Sequence, residues 1–311
     1  PPHLASRHSF EIWVSQDGTH EGVHKLVTEK YKKSVHYIQH LDSSPLKKSS
    51  PGEQDNYYKI ARHYGWCFRQ LFKDPRFKYA IVLEDDLEVA VDFFDYMTAA
   101  ARVLEADPTV WVASAWNDNG LAQFSSDPTK VYRTDFFAGL GWLLSRKLWE
   151  ELEPKWPKAY WDDWMREPAQ RKGRASLRPD VSRTTTFGKE GSSNGQFFDS
   201  HLSRMVLNTQ AQAFDTQDWS FLHKARYDPP FLQGVSAAEE MSERDAIASH
   251  KDGKVFYTSH ETFKRIAEKL GIMSDEKAGV PRTAYLGVVT LHFGGRTLYV
   301  APKQGAPYYT Q

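Results

Sequence analysis

The sequence predicts an α/β protein, on three observations. Short β-branched apolar runs alternate with stretches of helical periodicity. The most marked run, Ala80-Ile81-Val82-Leu83, reads as a buried strand and stops at three consecutive acids, Glu84-Asp85-Asp86. Turn chemistry such as Asp107-Pro108 and Asn119-Gly120 falls between the periodic stretches.

Composition narrows the class. The 311 residues carry 40 Lys and Arg against 40 Asp and Glu, so no net charge draws the chain toward a polyanion. At this length one large domain and a smaller one are expected. Aromatics make up 14%, with 10 Trp, enough apolar surface for a sizeable core. The single cysteine, Cys67, excludes an internal disulfide and leaves the redox compartment open. No apolar run approaches the ~18 residues of a membrane span. Pro1-Pro2-His3 starts no signal peptide, and so abrupt a start suggests that the natural N-terminus lies further upstream.

In chain order, Phe10–Ser15 reads as a strand ending at Gln16-Asp17-Gly18, with Asp17 at its carboxyl end. Glu21–Tyr31 reads as a helix and Ser34–Ile38 as a second strand. Leu41–Asp55, rich in Ser, Pro and Lys, reads as a loop. Asn56–Phe72 sets Tyr57, Ile60, Ala61, Tyr64, Phe68 and Leu71 on one helical face, with His63 beside it. The strand Lys78–Asp86 follows, then a helix burying Phe93, Phe94, Met97, Ala101 and Leu104. Trp111–Trp116 is another strand, closed by the turn Asn117–Gly120. Gly139-Leu140-Gly141 lacks the third glycine of a dinucleotide fingerprint and points instead to a close backbone approach. Val181–Phe187 is β-like, Leu202–Arg226 reads as a linker, and the rest carries the strands Val255–Tyr257, Gly287–Phe293 and Thr297–Val300 with the helix Glu261–Leu270.

Two stretches carry chemistry. Three acids just past a strand repel one another unless a cation sits among them, which suggests a divalent-metal site for a phosphorylated substrate. The plainer reading is an acidic turn capping the helix at Val91. In Tyr160-Trp161-Asp162-Asp163-Trp164, two carboxylates stand between indoles, and aromatic faces suit the C–H faces of sugars while a shielded carboxylate suits base chemistry. The plainer reading there is a helix start with core tryptophans. Asp17 equally serves as a cap, and a lone His63 is more often structural. Gly191-Ser192-Ser193-Asn194-Gly195 spells a nucleophile elbow, but Lys189-Glu190 interrupt the strand an elbow needs, so a flexible lid fits better than a hydrolase.

Several longer strings resemble one family. VLEDDLEVA (82–90), SAWNDNG (114–120), YRTDFF (132–137), ELEPKWPKAYWDDWMR (151–166) and RKGRASLRPDVSRTTTF (171–187) are similar, in order, to the α-1,3-mannosyl-glycoprotein β-1,2-N-acetylglucosaminyltransferases, the N-acetylglucosaminyltransferase I family. The resemblance implies a GT-A fold, a Rossmann-like nucleotide-sugar domain over residues 8–200 with a lid loop at 188–196, a linker at 201–226 and a small α+β domain at 227–311. It implies inverting transfer of GlcNAc from UDP-GlcNAc, with Mn²⁺, to the 2-hydroxyl of the α-1,3-linked mannose of Man5GlcNAc2 in the Golgi lumen. Family members are type II membrane proteins; their anchor, their stem and the first strand of the nucleotide domain would all lie ahead of this chain.

By the same resemblance, Asp86 holds Mn²⁺, Asp85 lies near the ribose and Glu84 near the transferred sugar. Asp162 is the general base and Trp161 lies against the GlcNAc. Asp17 and His63 contact the nucleotide, Leu140 walls the donor-sugar pocket, and Ser192 and Ser193 reach the diphosphate. The related O-mannose β-1,2-N-acetylglucosaminyltransferases share the donor, and the spellings Glu84-Asp85-Asp86 and Trp161–Trp164 favour the N-glycan family over them. A catalytically inactive sugar-binding GT-A protein is the remaining alternative.

Overall fold

The computed structural model describes residues 10–189, 191, 192, 195, 197–249 and 251–304. The chain forms two compact units, one from residues up to Lys78 with Arg146–Trp164, the other from Tyr79–Ser145 with the residues from Met165 onward. Among the described residues no helix is long and apolar enough to cross a membrane.

The first unit opens on a parallel pair of strands, Trp13–Asp17 and His36–His40, in the register Trp13↔His36 to Asp17↔His40. A helix, Glu21–Lys25, continued by a π-helical turn, Leu26–Lys30, makes the crossover that parallel strands require. The helix Asp55–Leu71 follows. Its buried positions are Tyr58, Ala61, Gly65 and Phe68, so the apolar face is turned from the one expected, and Tyr57, Ile60 and Tyr64 stand at its margin. Gly65 explains the rotation, because a Cβ there would lie 2.8 Å from Cδ1 of Trp156. Trp156 packs in that gap and donates from Nε1 to the Ala61 carbonyl at 2.8 Å. Behind it, Phe68 meets Trp149 and Trp156 edge-on. Arg146 closes the far end of the helix by donating to the carbonyls of Phe72, Asp74 and Phe77. Gly65→Ala is therefore expected to destabilise the unit by about 1 kcal/mol net, overpacking against Trp156 outweighing the helix-propensity gain. The urea midpoint reads this directly, and a stabilised variant would contradict the packing.

The second unit holds a mixed five-stranded sheet, in the order Tyr79–Val82, Trp142–Ser145, Val110–Ser114, Ala175–Pro179, Val131–Thr134. The Tyr79–Val82 strand differs from expectation. It lies at the sheet edge, antiparallel to Trp142–Ser145, and only Ala80 is buried. Ala80 is buried on one face, while Tyr79 and Ile81, only partly buried, pack against the core from the other. The helix Phe93–Ala106 covers the sheet through Phe93, Tyr96, Met97, Ala99, Ala100 and Val103. Between the acids and that helix runs a further strand, Leu87–Val89, so the acids do not cap the helix; its N-cap is Asp92. Asp92 is fully buried, pairs with Arg183 at 3.0 Å and accepts from Asn208 Nδ2 at 2.9 Å.

The stretch 201–226, which reads as a linker, contributes Phe214, Trp219 and Leu222 to this same core. A helix at Lys224–Ala237 follows despite Pro229 and Pro230 within it. The C-terminal strands form a four-stranded sheet ordered Glu239–Glu240, Gly253–Tyr257, Arg296–Pro302, Val289–Phe293, with the helix His260–Leu270 against it. Phe263, Ile266, Leu291 and Leu298 from this region share a core with Trp116, Phe124 and Phe136. The turn Asn117–Gly120 is buried between these layers, its Asn119 side chain donating to Thr283 at 3.0 Å.

Candidate active site

The acid turn of the second unit is held by a ribbon. Leu87–Val89 pairs antiparallel with Thr184–Thr186, placing Leu87 opposite Thr186. Phe187 N then donates to the Asp86 carbonyl at 3.0 Å, and the Thr186 hydroxyl donates to Asp86 Oδ2 at 3.2 Å while accepting from Gly188 N at 3.2 Å. Gly188 lies so close that any Cβ there would collide with Asp86 Oδ2. The second carboxylate oxygen, Asp86 Oδ1, is buried and has no hydrogen-bond partner among the described residues. A buried anionic oxygen left bare costs free energy that a positive ligand recovers. A hard divalent ion takes carboxylate oxygen of this kind, so the residues fit the Mn²⁺ that the sequence leads one to expect.

Around Asp86, Asp85 is exposed and Glu84 half-buried. Leu140 adjoins through its carbonyl, which accepts from Thr184 Oγ1 at 2.6 Å. The close backbone approach expected at Gly141 is present: its φ is +83°, and a Cβ would lie 2.6 Å from Thr184 Cγ2 and 3.4 Å from Leu83 Cδ2. The structure thus gathers Glu84, Asp85, Asp86 and Leu140 within one unit, beside the strand leading to Gly188. Ser192 is half-buried past that glycine, and Ser193 lies outside the described residues. Sequence reading missed Thr186 and Gly188; the run Thr184-Thr185-Thr186-Phe187-Gly188 signalled a strand but not its partner.

Gly188→Ala should displace the Asp86 carboxylate. The expected outcome is about a 100-fold loss of any metal-dependent turnover, the scale of a 1 Å misplacement, together with loss of the thermal stabilisation that Mn²⁺ confers on the parent. A variant stabilised by Mn²⁺ as strongly as the parent would show that the glycine does not hold Asp86.

In the first unit the parallel register sets Asp17 opposite His40. His40 Nδ1 lies 3.1 Å from Asp17 Oδ1, and His63, from the helix Asp55–Leu71, brings its Nδ1 to 3.3 Å from His40 Nδ1 and 3.7 Å from Asp17 Oδ1. His63 Nε2 faces the Ser15 carbonyl at 3.3 Å and the Ser15 hydroxyl at 3.2 Å. Burial lowers the His63 pKa against the upward pull of Asp17, favouring the neutral ring. Trp66 stacks on His40 with ring centres 4.8 Å apart. Asp17 and His63 are thus neighbours, joined by His40, which the sequence reading passed over; the one available sign was an Asp and a His ending two consecutive strands. Burial raises the Cys67 thiol pKa, which disfavours its thiolate.

Asp162 and Asp163 occupy the first turn of the helix Trp161–Arg166, where free N–H groups favour carboxylates. Both are half-buried. The entering residue Tyr160 has φ +49°, a left-handed conformation that a side chain adopts at a cost, and it stacks on Tyr57 at 4.6 Å. Trp161 is only 5% exposed, and its ring lies on Tyr64 at 4.4 Å. That indole is largely buried against Tyr64.

Fold and side chains define a mixed α/β protein with one carboxylate held at a strand ribbon and a pair of carboxylates at a helix start. The comparisons narrow that class: the chain belongs to the GNT-I family, whose model matches residues 3–310. It is 45% identical over 284 residues to the alpha-1,3-mannosyl-glycoprotein 2-beta-N-acetylglucosaminyltransferase of Arabidopsis thaliana. The match takes in 90% of this chain and 64% of the relative's length. Among solved structures, the crystal structure of A197 from STIV superposes with a TM-score of 0.35 at 9% identity, covering 65% of this chain and 97% of that one, a likeness too slight to inform fold or function.

Proposed function

We propose that the chain is an inverting β-1,2-N-acetylglucosaminyltransferase of the GT-A fold, moving GlcNAc from UDP-GlcNAc to the 2-hydroxyl of the α-1,3-linked mannose of Man5GlcNAc2. The observation that carries this is the family match over residues 3–310, which spans both the acid turn and the Trp161–Trp164 stretch. Asp86 would hold Mn²⁺ through its buried Oδ1, with Thr186 fixing the other oxygen. When bound, the ion supplies positive charge to a departing diphosphate.

The remaining roles follow from side-chain chemistry. Asp162 accepts the proton of the acceptor hydroxyl as its oxygen forms a bond to C1 of the sugar and the bond from C1 to the diphosphate breaks. One displacement inverts the α-linked donor to a β product, so no covalent nucleophile is needed. Asp17 and His63 take the nucleotide, Asp85 the ribose, Glu84 the transferred sugar, and Leu140 bounds its pocket. Trp161 lies against the transferred GlcNAc. Ser192 and Ser193 meet the diphosphate from a lid that excludes water. The same reading puts the protein in the Golgi lumen, at the step that begins hybrid and complex N-glycans.

The test is a transfer assay with UDP-GlcNAc, Mn²⁺ and Man5GlcNAc2, an O-mannosyl peptide alongside. The expected result is one β-1,2-linked GlcNAc on the N-glycan. Product on the O-mannosyl peptide alone would assign the chain to the sister activity. Donor binding with no product on either acceptor would make it a sugar-binding protein.

A further inference from the structure

We propose that Asp17, His40 and His63 form a second cation site, selective for a nitrogen-preferring transition metal such as Zn²⁺ and separate in chemistry from the all-oxygen site at Asp86. The three ligand atoms stand 3.1, 3.3 and 3.7 Å apart. Metal–ligand bonds of about 2.0–2.1 Å in a tetrahedron give ligand–ligand edges of about 3.3 Å, so the triangle already has the size of one face of a zinc polyhedron. These are the only His, Cys, Asp or Glu side chains among the described residues that cluster in this way.

The surroundings fit a metal better than a plain hydrogen-bond triad. Two Nδ1 atoms and a carboxylate oxygen all point inward. With His63 Nε2 carrying its proton toward the Ser15 carbonyl, His63 Nδ1 presents a lone pair, and a single proton on His40 Nδ1 serves either Asp17 or His63 but not both. The Nε2–H to backbone-carbonyl bond is the outer contact that orients metal-ligating histidines. Trp66 stacks on His40 and fixes its plane. The Asp17 side chain is 37% exposed, leaving the fourth position open to solvent or to a ligand.

On the reading above, Asp17 and His63 are also the nucleotide contacts, so zinc occupancy and donor binding compete. The experiment is chelator-competition titration of the intact, metal-stripped chain with Zn²⁺, followed by Co²⁺ substitution read by visible absorption. Expected are one zinc per chain, a tetrahedral Co²⁺ spectrum, and affinity about 100-fold weaker in both His40→Gln and His63→Gln. Asp86→Ala should leave the zinc affinity unchanged. Circular dichroism identifies a variant that has failed to fold, and the half-buried His63→Gln guards against that failure at buried His40. No stoichiometric zinc, or equal affinity in a folded His63→Gln, overturns the site. A separate arm measures UDP affinity with and without zinc. Stoichiometric zinc that leaves UDP affinity unchanged supports the metal site and removes Asp17 and His63 from the nucleotide instead.

Discussion

Asp86→Ala is expected to lower Mn²⁺-dependent GlcNAc transfer by about 10³-fold or more, because charge stabilisation of several kcal/mol at a leaving group converts to that factor. The same substitution should spare the fold. Among the described residues Asp86 Oδ1 is buried without a partner, and the other oxygen accepts one hydrogen bond, at 3.2 Å, from Thr186. Removing the carboxylate therefore removes a desolvated, poorly satisfied charge, and metal-free Asp86→Ala should melt at or above the parent. Mn²⁺ should raise the melting temperature of the parent and leave the variant's unmoved. Two readouts thus move in opposite directions, inactivity with retained or higher stability. A variant that is inactive and also strongly destabilised without metal would make Asp86 a structural residue.

Asp162→Asn is the second large effect. The amide keeps shape and polarity but accepts no proton, so kcat should fall about 10²–10⁴-fold with little change in the KM for UDP-GlcNAc. Asp163→Asn is the control, since Asp163 shares the same helical turn. Each variant loses one carboxylate from the helix start, costing about 0.3–1 kcal/mol of stability, so equal stability with unequal kcat separates base from cap. Equal loss of kcat in both, or a KM rise without a kcat change, would remove Asp162 from the reaction.

Local spelling carried a good deal of this structure. The helix Asp55–Leu71, the helix His260–Leu270 and three of the four strands of the C-terminal sheet lie within a few residues of their periodicity; the short Glu239–Glu240 strand was not legible. The strands Val131–Thr134 and Ala175–Pro179 escaped notice as strands because arginines, Arg133 and Arg178, stand within them, and both arginines are buried. Arg133 is legible as interior only once Asp107, 3.1 Å away, is brought to it. Likewise the stretch Leu202–Arg226 reads as a linker by its mixed spelling, yet it sends Phe214, Trp219 and Leu222 into the core.

The sequence alone determined which chemical groups the protein owns and the family to which its strings belong. Acids after a β-branched run and carboxylates between indoles are local facts, written within a few consecutive residues. Tertiary structure decided what each group faces. Strand register set His40 opposite Asp17, and the ribbon brought Thr186 and Gly188 to Asp86, 100 residues away for the threonine. Packing turned the helix so that Gly65 admits Trp156. Register and packing depend on pairings between distant segments, whose energies no local window contains, and they alone buried one Asp86 carboxylate oxygen away from any partner among the described residues.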